Sequence, residues 1–196
     1  MGVLKCCLTD LMLHQNTLEL TRSALAIIDM QEAFRSQMAE FAETAARIAV
    51  MVQGARLLGL PIIVTEQYPK GLGHTASEIA AVLPGGIEII EKTAFSSCGA
   101  QQFERRLAGT AANQVIVCGI EAHICVNQTV HDLLAGSYQV HLLTDCITAR
   151  HQDDKKTAVR KMQRSGAVPC SVEMALFELM RDAKHDQFKA IQGLIR

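Results

Sequence analysis

The sequence predicts an α/β fold, a parallel sheet covered by helices on both faces. Three observations lead there. Six short apolar runs read as strands, most stretches between them place apolar residues at helical spacing, and no repeat, low-complexity segment or linker divides the 196 residues. Runs that are apolar without alternation mark strands buried on both sides, as in parallel sheets.

The first strand is Ala24-Leu25-Ala26-Ile27-Ile28, a run that ends in the acid Asp29. A helix follows over 39–58, with Phe41, Ala45, Ile48, Val52 and Ala55 near helical spacing, and Gly59 and Pro61 stop it. The second strand covers 61–65, a loop carries Pro69, Gly71 and Gly73, and a short helix occupies 77–82. The third strand is expected at 87–90, before a helix over 100–107. Val115 to Gly119 makes the fourth strand, the next helix spans 124–134 and ends at Gly136, and the fifth strand at 140–143 runs up to Asp145. A helix over 153–164, a sixth strand at 168–171 and closing helices complete the chain. Residues 1–20 read as an N-terminal leader and 21–196 as one domain.

At this length folding buries roughly 70% of the unfolded chain's surface, so the core requires neither disulfides nor a structural metal. With 19 basic and 20 acidic side chains the net charge is −1, which lacks the electrostatic footprint of a polyanion-binding protein. The segment Arg150, Lys155, Lys156, Arg160, Lys161 and Arg164 is locally basic, opposed only by Asp153 and Asp154. Its cations Lys156, Arg160 and Arg164 recur every four residues, as on a solvated helix face, and no aromatic residue is interleaved for stacking. Nucleic acid is therefore not an expected partner.

The seven cysteines, Cys6, Cys7, Cys98, Cys118, Cys125, Cys146 and Cys170, are odd in number and contain no C-x-x-C pair. Neither a membrane-spanning apolar stretch nor a signal-peptide pattern is evident, which makes the reducing cytoplasm the expected compartment. Most of these thiols should pack as small hydrophobes. The start Met1-Gly2-Val3-Leu4-Lys5-Cys6-Cys7 approaches a myristoylation pattern at Gly2, with Cys6 and Cys7 open to palmitoylation. Membrane attachment is expected only if that segment is acylated, and the alternative is a frayed leader.

Open parallel sheets bind ligands outside the carboxyl ends of their strands. That rule singles out Asp29, the loop after Thr65, Lys92, the segment after Gly119, and Asp145. Cys125 follows a strand and the turn 120–124, so it is expected in the first turn of a helix, where free amides and the positive helix end lower a thiol pKa. It reads either as an activated nucleophile or as a packed core cysteine. Lys92 costs too much to bury alone and needs an anionic partner, a thiolate or a carboxylate. Asp29 has the chemistry to take a proton from a thiol and return it to a leaving amine, or it is a turn or cap residue.

Three segments then become specific in combination. Ala26-Ile27-Ile28-Asp29-Met30-Gln31-Glu32-Ala33-Phe34, Ile90-Glu91-Lys92-Thr93-Ala94-Phe95-Ser96 and Val117-Cys118-Gly119-Ile120-Glu121-Ala122-His123-Ile124-Cys125-Val126 resemble, in that order, the signature regions of the isochorismatase-like cysteine hydrolases. The tail Leu176-Phe177-Glu178-Leu179, with Asp182-Ala183 and Phe188-Lys189, resembles the isochorismatase domain-containing branch of that superfamily. The resemblance implies a Rossmann-like three-layer α/β/α sandwich with a six-stranded parallel sheet and an Asp-Lys-Cys triad. By that implication Asp29 is the general base and acid, Lys92 holds the thiolate and orients Asp29, and Cys125 attacks. It also implies a cis peptide at Ile120–Glu121, with the amides of Glu121 and Cys125 facing an oxyanion. A homo-oligomer is expected, and no cofactor. The implied activity is hydrolysis of a small amide, ureide or related C–N bond through a thioester, and the alternative is a non-catalytic binding protein that retains the fold.

Departures from the family pattern narrow this further. Metal-binding relatives carry an Asp-x-His pair near the second strand, where this chain has Glu66-Gln67-Tyr68-Pro69, and His74 is expected to be a lone solvated residue, so no metal is expected. Relatives that cleave a vinyl ether lack the cysteine, so Cys125 argues against that reaction. Phe34, Tyr68, Phe95, His123 and Ile124 flank the motifs and are the candidates for contact with a small-molecule substrate. Core packing is the alternative for each aromatic, and His123 is the expected hydrogen-bonding member.

Overall fold

The computed structural model describes residues 14–195. Its six strands are β1 (Ser23–Ile28), β2 (Ile62–Gln67), β3 (Ile89–Lys92), β4 (Gln114–Gly119), β5 (Gln139–Ile147) and β6 (Val168–Cys170). They form one sheet in the order β3-β2-β1-β4-β5-β6, with every neighbouring pair parallel. The main helices are α1 (Phe41–Leu58), α4 (Gln101–Ala108), α5 (Asn127–Ala135), α6 (Gln152–Arg164), α7 (Val172–Met180) and α8 (Phe188–Ile195), and α2 (Pro69–Leu72) and α3 (Ser77–Ala80) are single turns.

Alternation along each strand divides the core into two layers. On β1, Leu25 and Ile27 face Ile48 of α1, Leu176 of α7 and Ile191 of α8. Ala24, Ala26 and Ile28 face the other way, into the layer of Phe103, Val130 and Met162 from α4, α5 and α6. Both faces of β1 are fully buried, which is why its sequence is apolar without interruption. The result is the three-layer α/β/α sandwich.

Strand order reverses at β1, whose neighbours β2 and β4 continue in opposite directions across the sheet. Such a switch point opens a crevice at the carboxyl ends of the two central strands. The crossing is tight. Gly119 has φ 118°, and a Cβ there would collide with the Ile28 carbonyl, so only glycine lets β4 pass this close to β1. The amide of Ile120 then bonds that same carbonyl at 2.9 Å.

Several boundaries differ from those read off the sequence. β3 is shifted to Ile89–Lys92, which places Lys92 in register with Gln67 of β2; Ile87 instead closes a turn onto the Pro84 carbonyl at 3.2 Å. β5 continues through the polar pair Thr144-Asp145 because a register shift after Val117 lets Gly119 pair with Ile147. Asp145 therefore does not enter the crevice. Its carboxylate accepts the Val172 N–H at 3.2 Å and caps α7. Pro69–Leu72, expected as loop, is one helical turn with proline at its first position.

Packing of the domain begins inside the segment read as leader, since Leu18 is fully buried and its amide donates to Glu178 at 2.9 Å. The acylation candidates Gly2, Cys6 and Cys7 lie outside the described residues. Among the described residues no helix is long and apolar enough to cross a membrane, and the five cysteines are all free thiols.

Candidate active site

Asp29 is the residue after β1, held at φ 49°, a left-handed conformation that Asp tolerates better than most residues. Its amide is pinned to the Thr65 carbonyl at 3.1 Å. The side chain is 2% exposed and fully engaged: Lys92 Nζ donates to Oδ2 at 2.5 Å, and Thr65 Oγ1 donates to Oδ1 at 2.7 Å. Lys92 spends its remaining donors on Gln67 Oε1 at 2.8 Å and on the carbonyls of Ala94 and Phe95 at 3.1 and 3.0 Å. A buried ammonium with four oxygen acceptors is a fixed, satisfied charge.

Cys125 comes from β4, the other side of the switch point. It lies in a π-type turn, Ala122–Val126, that precedes α5, rather than in the first turn of the α-helix. The turn follows the cis peptide Ile120–Glu121. Two carbonyls anchor it: Ala122 N donates to the Thr148 carbonyl at 2.9 Å, and the amides of Ile124 and Val126 both reach the Glu121 carbonyl, at 3.0 and 3.2 Å. The Glu121 side chain is tied by Arg150 Nε at 3.1 Å and by the Arg150 amide at 3.1 Å.

The Cys125 thiol and the Asp29 carboxylate border the same cavity and act on each other electrostatically. Burial and the Asp29 carboxylate push the thiol pKa up to about 12, against the opposing pull of Lys92. This corrects the expectation of a lowered pKa. The helix-start argument omitted both the depth of the site and the carboxylate beside the sulfur. Lys92 acts on the thiol by charge only; its hydrogen bonds go to Asp29, Gln67 and the two carbonyls. Burial raises the Asp29 carboxyl too, and Lys92, Thr65 and Cys125 pull it partly back.

Sulfur and carboxylate open onto a cavity of about 150 Å³. Phe34, Leu72, Phe95, Ile120 and Ile124 form its apolar walls, and Asp29, Gln67, Glu121 and Cys125 also border it. Three of the five pocket candidates, Phe34, Phe95 and Ile124, thus border the cavity. Tyr68 does not; it is 53% exposed and lines the neighbouring groove with Lys70 and Glu91. Nor does His123, whose Nε2 turns towards Asp154 Oδ2 at 3.9 Å.

Sequence reasoning missed Thr65, Gln67, Gln31 and Leu72. Gln31, fully buried, clamps β2 to the loop after α2: its Oε1 accepts the Gln67 amide at 2.7 Å, and its Nε2 donates to the carbonyls of Gln67 and Gly73 at 3.0 and 2.7 Å. That clamp places Leu72 over the cavity. His74 is exposed as expected but not alone, since its Nδ1 lies 3.1 Å from Oε2 of the buried Glu66. Glu66 Oε1 in turn accepts the Thr75 amide at 2.6 Å and its hydroxyl at 2.7 Å. This carboxylate fastens a loop, and among the described residues no three His, Cys, Asp or Glu side chains form a metal-ligand group.

Comparison with known proteins agrees with this architecture. The family model for the isochorismatase domain matches residues 23–174. Isochorismatase domain-containing protein 2A of Mus musculus is 42% identical over 175 residues, which cover 89% of this chain and 82% of that protein. The human isochorismatase domain-containing protein 2 is 40% identical over 174 residues, 89% of this chain and 83% of its own length. The solved structure of the MAR1 ribonuclease from Caenorhabditis elegans superposes with a TM-score of 0.87 at 38% identity, covering 91% of this chain and 92% of that one. With a family match across most of its length and relatives this similar, the chain belongs to the isochorismatase-like hydrolase superfamily, in its isochorismatase domain-containing branch.

Proposed function

We propose that the protein is a cysteine hydrolase that cleaves a small amide, ureide or related C–N bond through a thioester on Cys125. The observation that carries this reading is the buried Lys92–Asp29 pair beside Cys125, with Asp29 and Cys125 bordering one small apolar-walled cavity. A thiol held near pKa 12 is protonated at neutral pH, so attack and proton transfer must be coupled. The S–C bond forms as the thiol proton passes to Asp29. A carboxyl raised by burial is a better base than a solvated one, which suits it to the step.

The negative charge that develops on the substrate oxygen falls between the amides of Glu121 and Cys125, in a turn anchored on the Thr148 and Glu121 carbonyls. Asp29 then delivers its proton to the departing nitrogen as the C–N bond breaks. A water takes the amine's place, loses a proton to Asp29 and attacks the thioester; the S–C bond breaks and the sulfur recovers the proton. Lys92, hydrogen-bonded to Asp29 Oδ2, keeps that carboxylate oriented. No step calls for a cofactor, and the protein's expected setting is a cytoplasmic homo-oligomer.

The test is ammonia or amine release from a panel of small amides and ureides by the wild type, Cys125→Ala and Asp29→Asn. Turnover that both substitutions abolish is the expected result. A folded wild type that releases nothing, or a Cys125→Ala variant that retains turnover, overturns the reading.

RNA hydrolysis is the second reading, because the 38%-identical Caenorhabditis elegans structure is that of a ribonuclease. Three cations of the basic segment already have partners within the chain: Arg150 with Glu121, Lys155 with Glu40 and Lys156 with Asp153. Apolar cavities of about 150 Å³ hold a benzene-sized molecule, which is too little for a phosphodiester and its flanking nucleosides. RNA cleavage at low salt that is lost in Cys125→Ala would replace the small-molecule reading with this one.

A further inference from the structure

Resting on the cysteine-hydrolase reading, the geometry points to an uncharged substrate whose compact apolar group fills the cavity beside Cys125, a carboxamide with a small aliphatic or aromatic acyl part. Substrates bearing a carboxylate or phosphate are excluded by the same geometry. Charge placement is the first argument. Asp29 and Glu121 border the cavity, whereas their cationic partners Lys92 and Arg150 do not. Both Glu121 carboxylate oxygens are held by Arg150, which leaves Asp29 as the acid beside the reacting sulfur. Among the described residues no Lys, Arg or His borders the cavity. An anionic ligand would meet apolar walls, the Asp29 carboxylate and no free cation, in a space where burying an unpaired charge is costly and like charges repel.

Hydrogen-bond capacity is the second argument. Among the described residues Gln67 is the one side-chain amide on the cavity, and each end of it is already engaged by the protein: Oε1 accepts from Lys92 at 2.8 Å and Nε2 donates to the Thr93 carbonyl at 2.8 Å. Polar substituents away from the scissile bond would therefore lie against Phe34, Leu72, Phe95, Ile120 and Ile124 without partners, and that burial is costly. A ureide carries more N–H and C=O groups than such walls can satisfy. An aliphatic or aryl amide does not.

Two alkylating reagents of nearly equal size and opposite character test this. Iodoacetamide is neutral and iodoacetate is anionic, and each modifies a thiol by displacing iodide. Their rates at Cys125 are read by mass spectrometry of the peptide that contains it, and their ratio is compared with that for a simple thiol in the same buffer. The neutral reagent should be favoured at Cys125 by about tenfold more than at the simple thiol. In Leu72→Lys, which adds a cation at a half-buried wall position, the excess should vanish, and in Leu72→Met it should persist. An unchanged ratio, or one that favours iodoacetate, overturns the charge selectivity and leaves the nucleophile intact. Modification of Cys125 by neither reagent overturns the nucleophile and this inference with it.

Discussion

Lys92→Met removes the ammonium from the site and keeps most of the stem. The ion pair it breaks is 2.5 Å long, with side chains 1% and 2% exposed, so the Asp29 carboxylate left behind has no cation and little water. Stranding one member of a buried pair costs about 3–5 kcal/mol. The loss should depend on pH in a definite direction. Burial already raises the Asp29 carboxyl, and without Lys92 it rises further. An acid whose folded pKa exceeds its unfolded value supports folding below the unfolded value and loses that support as pH climbs through the folded one.

The deficit of Lys92→Met relative to wild type is therefore largest at and above neutral pH. It shrinks by about 1.4 kcal/mol for each unit of pH descended between the variant's raised pKa and the ordinary carboxylate range. Urea denaturation of the wild type, Lys92→Met and Asp29→Asn/Lys92→Met across that window measures it. The double variant, which strands no charge, should recover at least half of the neutral-pH deficit. A deficit that stays constant with pH, or a double variant no more stable than the single one, would refute the buried-pair reasoning.

Two further predictions concern the scaffold. His141 on β5 is fully buried, and neither ring nitrogen has a hydrogen-bond partner among the described residues, so burial pushes its pKa from 6.5 to about 4. Stability tied to this residue is present above pH 6.5 and lost as pH falls through about 4, in total about 3 kcal/mol; His141→Leu should remove that slope in urea titrations compared between neutral and acid pH. Gly119→Ala should lower stability by roughly 2–5 kcal/mol in the same assay, because the residue's φ of 118° and the Ile28 carbonyl both exclude a Cβ.

Legibility in the sequence followed how each residue does its work. Strand cores were readable because β1 and β4 are buried on both faces and say so in unbroken apolar runs. Strand ends were less so: Thr144-Asp145 reads as an exit, but the bulge carries β5 onward and turns Asp145 to the start of α7. Asp29 and Lys92 stood out because each is a charged residue just past an apolar run, and Cys125 because it follows the turn after one. Thr65 and Gln67 carry no such mark. A threonine and a glutamine at the end of a strand are ordinary, and only the fold brings them to Asp29 and Lys92. The protonation state of Cys125 was misjudged for a related reason, since a helix start is visible in sequence while burial and a carboxylate from another strand are not.

The most direct test of the account is to look for the covalent intermediate. Rapid quenching of the wild type with a small neutral amide that it turns over, followed by peptide mass spectrometry, should find the acyl group on Cys125. Neutral hydroxylamine should remove that label as it removes a thioester, and Cys125→Ala should carry none. Turnover that proceeds with Cys125 unlabelled at every quench time, and persists in Cys125→Ala, would contradict it.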